Sequence, residues 1–278
     1  MLFIVGTPIG NIDDMSPRAQ HVLKSAALIA CEDTRVTGLL LSNLKISNKL
    51  TCYHEHNRKS KEPYLLRMLE AGEHIALVSD AGMPCISDPG VPLVRQCIDK
   101  NIPITVIPGP VAAMAALAVS GLDTERFIFE GFIPSDGLKR KQRLGQIAQS
   151  EITTVLYEAP HRLMKTLSDL NALGMGERRV VLCREMTKKY EEIIRCTLND
   201  AKAQFDTKKP KGEFAIVIEG QSVKKEEILI EDREKIILEQ LALGLSTKDI
   251  SVMLSAKWNE NRRNVYTEVI KVLESKKK

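Results

Sequence analysis

Carboxylates, an arginine and two histidines follow short apolar runs at two places near the start of this 278-residue chain. The first is CEDTR, residues 31–35. Cys31 ends an apolar run, and Glu32, Asp33 and Arg35 come next, where a parallel strand would open onto the ligand-bearing edge of an α/β sheet. A carboxylate there can take a proton or orient a hydroxyl, and an arginine can hold a phosphate. Asp33 can equally cap the following helix, with Arg35 as its surface ion partner, because Asp is a favoured N-cap. The second place is YHEHN, residues 53–57. His54 and His56 point the same way from an extended chain, with Cys52 and Glu55 beside them, which raises zinc as a possibility. A zinc site needs three or four convergent ligands, and this spacing does not supply them, so no metal is expected. A general base at His54 or His56, with His56 first, is the chemical reading. Ordinary polar loop residues are the plain one.

Three stiff loops must position these groups. SDAGMPCISDPG, residues 79–90, follows the apolar run Ile75–Val78 and carries Gly82, Pro84, Pro89 and Gly90. Proline fixes φ and glycine allows positive φ, so the segment is a preshaped turn. GTPIGN (6–11) follows the N-terminal apolar run, and PGP (108–110) follows Ile104–Ile107. Any one of them is an ordinary βα turn. Three rigid loops leaving three parallel strands describe the rim where α/β folds bind ligands. The chain has neither GxGxxG after its first strand nor GxxxxGK[ST], so a dinucleotide or P-loop nucleotide site lacks motif support. The loops carry no lysine and suit a compact, neutral or zwitterionic ligand held by backbone groups.

Strand and helix signals alternate through the first 120 residues. Strands are expected at Leu2–Val5, Leu28–Ala30, Leu50–Tyr53, Ile75–Val78 and Ile104–Ile107. Helices are expected from the Ser16-Pro17 cap to about Ala27, then at Thr34–Leu44, Glu62–Glu70, Val91–Asp99 and Val111–Val119. The segment around 121–134 breaks this alternation and suggests a boundary. Beyond it, strands are expected at Phe127–Glu130, Thr153–Tyr157, Arg179–Arg184, Glu191–Cys196 and Glu213–Glu219. Helices are expected at Leu138–Gln149, Arg162–Leu173 and Asp200–Phe205. Val180–Arg184 and Glu192–Cys196 are close enough to be antiparallel neighbours, so this second sheet is mixed. A charged linker, Gln221–Ile230, leads to helices near Glu231–Ala242, Lys248–Ala256 and Arg262–Glu274. The expected fold is therefore two α/β domains, 1–120 and 121–220, with a ligand cleft between them, plus a small helical module over 221–278.

Composition excludes disorder: 44% hydrophobic and 27% charged residues are ordinary globular values. No apolar stretch approaches membrane-spanning length. The six cysteines form no CxxC pair and no signal peptide is evident, so reduced thiols in a cytoplasm are expected. The net charge of +4 is mild, but basic residues cluster at Lys139, Arg140, Lys141 and Arg143 and again in the last thirty residues. Ser246 and Asp249 form a capping box that opens a helix-turn-helix-like segment. Trp258 there is a packing residue or a stacking surface.

GTPIGN, CEDTR, YHEHN, SDAGMPCISDPG, IPGP (107–110), YEAPHR (157–162) and KGEFAIVIEG (211–220) occur in this order. Together they resemble the tetrapyrrole-methylase-like class of S-adenosylmethionine enzymes. The resemblance is nearer to its ribosomal RNA branch, the 16S rRNA (cytidine-2′-O)-methyltransferases, and spans essentially the whole chain. It implies S-adenosylmethionine folded in the cleft, lined by Pro8, Ala81, Gly82, Met83, Ile86, Val111 and Ala112. From the second domain it implies Tyr157, Glu158, Thr197 and Glu213. Val111 stands where the family often has serine or cysteine, which puts a side-chain hydroxyl contact in doubt. The resemblance also implies methylation of a cytidine 2′-hydroxyl in the decoding region of 16S rRNA in the small ribosomal subunit, and a homodimer. Asp33 would then orient or deprotonate the acceptor hydroxyl, with Glu32 beside it, and Arg35 would bind RNA phosphate. Lys139, Arg140, Lys141, Arg143, Lys248, Arg262 and Arg263 would contact RNA, although a basic helix run is also an ordinary solvated face. The alternatives are a precorrin C-methyltransferase and a ribosome-assembly factor that binds the cofactor without transfer.

Overall fold

A computed structural model describes residues 1–206, 209–221, 230–258 and 260–275, with the side chains of 230–232 left aside. The expected linker at 221–230 lies almost wholly outside the described residues, as do the three terminal lysines. Met1–Gln221 forms one compact unit and Ser222–Lys278 a second.

The first unit opens with β1 (Leu2–Val5), α1 (Pro17–Ser25), β2 (Leu28–Cys31), α2 (Thr34–Asn43) and β3 (Leu50–Cys52). It continues with α3 (Arg58–Glu70), β4 (Ile75–Val78), α4 (Val91–Asp99), β5 (Ile104–Ile107) and α5 (Ala112–Ser120). These strands form one sheet in the order β3-β2-β4-β1-β5, with every pairing parallel. β2 and β4 are buried at all four positions, as central strands covered on both faces must be. Leu2, Ile29, Ile75 and Leu77 are almost wholly enclosed, and each such burial is worth about 1.5–3 kcal/mol. The order matters for function. β4, β1 and β5 are neighbours, so the three stiff loops leave the sheet side by side, with CEDTR on the adjoining strand.

α1 begins as its sequence requires: the Ser16 hydroxyl accepts the Ala19 N–H at 3.1 Å with Pro17 in the first turn. α3 begins at Arg58, four residues before the expected start at Glu62. The turn at His54–Asn57 already supplies helical carbonyls, with Lys61 N–H donating to Asn57 O at 3.1 Å, and Pro63 is carried inside the helix.

The remainder of this unit comprises β6 (Phe127–Phe132), α6 (Gly137–Gln149), β7 (Thr153–Glu158), α7 (Pro160–Leu170), β8 (Arg179–Arg184), β9 (Glu192–Thr197), α8 (Leu198–Asp206) and β10 (Phe214–Ile218). The second sheet has the order β6-β7-β10-β8-β9. It is mixed: β6 and β7 are parallel, while β10 runs antiparallel to β7 and β8, and β9 antiparallel to β8. α5 is apolar around nearly its whole circumference, which calls for burial on more than one side. It packs Ala113, Ala116 and Leu117 against Val155, Val181, Ala215 and Val217 of the second sheet. The last helix of the first βα series therefore cements the two sheets.

The second unit holds α9 (Ile230–Ala242), α10 (Thr247–Trp258) and α11 (Arg262–Ser275), which share a core of Ile237, Ile250, Leu254, Trp258, Val265 and Val269. Ser246 caps α10, accepting the Asp249 N–H at 3.2 Å and meeting its carboxylate at 2.6 Å. Trp258 is enclosed in this core under the Arg233 guanidinium, 4.6 Å from the ring centroid. It is a packing residue. Among the described residues no helix is long and apolar enough to cross a membrane.

Candidate active site

Backbone packing sets the shape of the loop cluster. Thr7 and Gly82 form an antiparallel bridge, N–H to O at 2.9 and 3.2 Å, which ties the β1 exit to the β4 exit. Gly6 and Gly109 lie so close that a Cβ on Gly109 would sit 2.7 Å from the Gly6 Cα. Gly82 holds φ at +82°, inside the left-handed region. Of six non-glycine residues with positive φ among the described residues, Cys85, Ser87, Glu185 and Thr187 flank these loops. Such conformations cost on the order of 1–3 kcal/mol each and gather at functional sites. The second half grips the first directly, with the Thr187 hydroxyl accepting the Asn11 N–H at 3.1 Å.

Between the two sheets these elements enclose a cleft of about 500 Å³, within the range of about 300–1,000 Å³ usual for small-ligand sites. Ala81, Gly82, Met83, Ile86, Val111, Ala112, Tyr157, Glu158 and Glu213 all line it. Their convergence follows from topology. Glu158 ends β7, and Phe214 pairs with both Glu158 and Arg184, so one end of the second sheet presents Tyr157, Glu158 and Glu213 together opposite the loops of the first. Two expected residues are placed elsewhere. Ile9, not Pro8, forms the wall beyond the Thr7 bridge. Thr197 pairs with Arg179 at the far end of the sheet, because β9 runs antiparallel to β8, and its hydroxyl bonds Asp200 at 2.7 Å.

Tyr157 is fixed by its hydroxyl, which accepts the Ala113 N–H at 3.0 Å, and by Phe129 and Phe132, with ring centroids at 5.1 and 5.5 Å. Glu158 is buried. Its carboxylate accepts from Thr166 Oγ1 at 2.6 Å and from its neighbour Ala159 N–H at 3.0 Å, and it faces Arg162 at 3.3 Å. Lys188 lies between Glu185 and Glu213, at 3.0 and 2.9 Å.

The CEDTR residues separate. Glu32 lines the cleft. Asp33 does not: it caps α2 by accepting the Arg35 N–H at 2.8 Å, and both of its oxygens meet the Arg35 guanidinium, the nearest at 2.6 Å. That arginine and the backbone donors lower the Asp33 carboxyl to about 2, which leaves a poor proton acceptor. The expectation of Asp33 as base is thus corrected to that of a helix cap, with Arg35 committed to the same pair. The Asp33 N–H in turn donates to Asp80 Oδ1 at 3.0 Å. His56 stands exposed outside the cleft and packs edge-on against His54, with ring centroids at 5.9 Å.

Two cleft carboxylates escaped the sequence reading, although both lie inside SDAGMPCISDPG: Asp80 and Asp88. Burial raises the carboxyl pKa of Glu32 and Asp80, each reinforced by a neighbouring carboxylate. Asp88 is raised furthest, to about 6, chiefly by burial and then by Glu32 and Asp80, with the Ser79 hydroxyl opposing the shift. The loop was legible for its prolines and glycines, and its two aspartates were the available signal.

On α6, Lys139 and Lys141 are exposed and Arg143 pairs with Glu130 at 2.5 Å. Arg140 is buried, which contradicts the expected RNA contact. It bonds Asp169 at 2.8 Å, Thr166 Oγ1 at 3.0 Å and Pro134 O at 3.0 Å. Thr166 then passes its own hydroxyl proton toward Glu158, so Arg140 supports the cleft wall from behind. Arg140→Ala should therefore destabilise the protein by about 2–3 kcal/mol, somewhat below the usual cost of breaking a buried pair because Asp169 is partly solvated. Denaturant unfolding would measure this, and the salt dependence of RNA binding should stay as in wild type.

Such a cleft, with proline-stiffened loops on a parallel sheet facing a mixed sheet, defines a class. Residues 1–202 match the family described as tetrapyrrole (corrin/porphyrin) methylases, and the chain belongs to that family. Within it, the chain is 46% identical over 267 residues to the "Ribosomal RNA small subunit methyltransferase I" of Synechocystis sp., covering 96% of each chain. It is 42% identical over 269 residues to the protein of the same name from Halalkalibacterium halodurans, covering 95% of this chain and 93% of that one. Among solved structures, the uroporphyrin-III C-methyltransferase of Thermus thermophilus complexed with S-adenyl homocysteine shares the fold. Its TM-score is 0.56 at 18% identity, covering 78% of this chain and 96% of that one.

Proposed function

We infer that this chain transfers a methyl group from S-adenosylmethionine to the 2′-hydroxyl of a cytidine in the decoding region of small-subunit ribosomal RNA. The observation that carries this reading is the end-to-end likeness to proteins named for that ribosomal substrate. The cleft fits the cofactor chemically. Apolar and aromatic surface from Ile9, Val111, Phe132 and Tyr157 suits a nucleoside, and the buried Glu158 offers an acceptor. The Gly82 backbone, bare of side chain, suits close approach by a polar amino-acid moiety. When bound, S-adenosylmethionine supplies an electrophilic methyl on a sulfonium whose leaving group is a neutral thioether. The protein's part is alignment, for which effective molarities correspond to about 7–11 kcal/mol, together with acceptance of the hydroxyl proton.

In this reading Lys139 and Lys141 on α6, and Lys248, Lys257, Arg262 and Arg263 on α10 and α11, hold RNA phosphates; all are exposed. The protein acts in the cytoplasm as a homodimer, a pairing for which the exposed Met114, Val119, Phe127 and Ile128 provide apolar surface. Removing the residues after Gln221 should spare cofactor binding, because every described residue that lines the cleft precedes that point. It should weaken binding to small subunits and flatten its salt dependence by about one phosphate contact per lost basic partner. An unchanged salt slope would assign the three helices to packing alone.

Methyl transfer from tritiated cofactor decides among the readings. Label on small ribosomal subunits is the expected result. Label on a precorrin would make the chain a tetrapyrrole C-methylase, and label on neither would make it a binding factor.

A further inference from the structure

Among the described residues the cleft holds six carboxylates, and three of them are engaged. Glu158 is held by Thr166, Ala159 and Arg162, and Glu185 and Glu213 share Lys188. Glu32, Asp80 and Asp88 remain, and among the described residues none of the three joins an ion pair. One oxygen of Asp80 is occupied by the Asp33 N–H at 3.0 Å. The Ser79 hydroxyl favours the ionised form of Asp88, whose field reaches both halves of the cleft, Glu32 and Asp80 on one side and Tyr157 on the other. The adjoining backbone is strained, with Ser87 at φ +63° and its hydroxyl so near Gly131 that a Cβ there would come within 2.7 Å of it.

We propose that Asp88 is the catalytic base that removes the proton from the acceptor hydroxyl. The proposal rests on the methyltransferase reading of the cleft. In the step, the hydroxyl proton passes to an Asp88 oxygen as the new O–CH3 bond forms and the S–CH3 bond breaks. The sulfur keeps the bonding pair and leaves as a neutral thioether. Carboxylate and sulfonium charges are thus consumed together, and the carboxylic acid later returns its proton to water.

The groups facing Asp88 are Glu32 beyond β2, Ser79 and Asp80 beyond β4, Cys85 in its own loop and Tyr157 on β7. With a carboxyl near 6, Asp88 is ionised at pH 7.5 and far more basic than an ordinary aspartate. A base matched in this way to its working pH is worth about 10²–10⁴-fold.

The test is Asp88→Asn, read in two ways. In single-turnover methyl transfer with saturating cofactor and small subunits, the wild-type rate should rise with pH through a midpoint near 6. Asp88→Asn should fall by about 100-fold or more at pH 7.5 and lose that limb, while Asp88→Glu should keep it. The second readout needs no cofactor. The folded-state carboxyl is raised, so its contribution to stability is fully present below about pH 4 and is lost as pH rises through about 6. Asparagine has no charge to bury, so the melting temperature of Asp88→Asn relative to wild type should climb between pH 4 and 7 and then level. An Asp88→Asn rate within about threefold of wild type, with cofactor affinity intact, overturns the proposal, and so does loss of the pH limb in Glu32→Gln with Asp88→Asn retaining it. Wild-type protein that labels no subunit overturns the methyltransferase reading itself, a result distinct from an inactive variant beside an active parent.

Discussion

Gly82→Val is expected to abolish S-adenosylmethionine binding. The residue sits at φ +82° in the wall of the cleft, where a β-branched side chain is strained by its own backbone. Its Cβ alone would meet only Ile9 and Pro110 O at 3.5 Å, an ordinary contact. Gly82→Ala should therefore cost about 1 kcal/mol from the left-handed conformation and keep most of the binding. Valine adds two methyl groups at the rim of the cleft and has no relaxed rotamer there. Calorimetry with S-adenosylhomocysteine should show a loss of at least about 100-fold for valine, equivalent to about 2.7 kcal/mol, and a small loss for alanine. Wild-type affinity in the valine variant would reduce this loop to a turn.

Gly109→Ala should be strongly destabilising. The added Cβ would lie 2.7 Å from Gly6 Cα and 2.8 Å from Gly6 C, and both are backbone atoms that no rotamer change can move. Relief requires the exits of β1 and β5 to part, which breaks the register that brings the loops together. Overpacking of this kind costs about 3 kcal/mol, or about 6–12 °C of melting temperature in a unit of this size. Cofactor affinity should fall with it. A melting temperature within about 2 °C of wild type would show that the Gly6–Gly109 contact is slack.

The first sheet was legible because its central strands β2 and β4, buried at every position, are short apolar runs, and stiff glycine- and proline-rich loops follow β1, β4 and β5. Order within the sheet was not visible. The adjacency of β2, β4 and β1 brings Glu32, Asp80 and Asp88 into one cleft from positions far apart in the chain, and that adjacency is a product of tertiary pairing. For Asp33 the sequence offered two roles, base or helix cap paired with Arg35, and position after a strand could not choose between them; the structure has the cap, with Arg35 holding the carboxylate. Arg140 was misread as part of a basic run, although Arg140, Leu144 and Ile147 follow the spacing of one helix face and are all buried. Thr197 failed for a different reason. It was implied by the resemblance alone, and the antiparallel pairing of β8 and β9 that the spacing suggested already puts the end of β9 opposite Arg179, away from the cleft.

Transfer to a ribose oxygen is tested most directly by identifying the methylated atom. Small subunits methylated by this protein would be digested to nucleosides and resolved by mass spectrometry. The expected product is a single cytidine carrying its extra methyl on the ribose fragment, 2′-O-methylcytidine. A methyl on the base fragment, or on no nucleoside, would contradict the account.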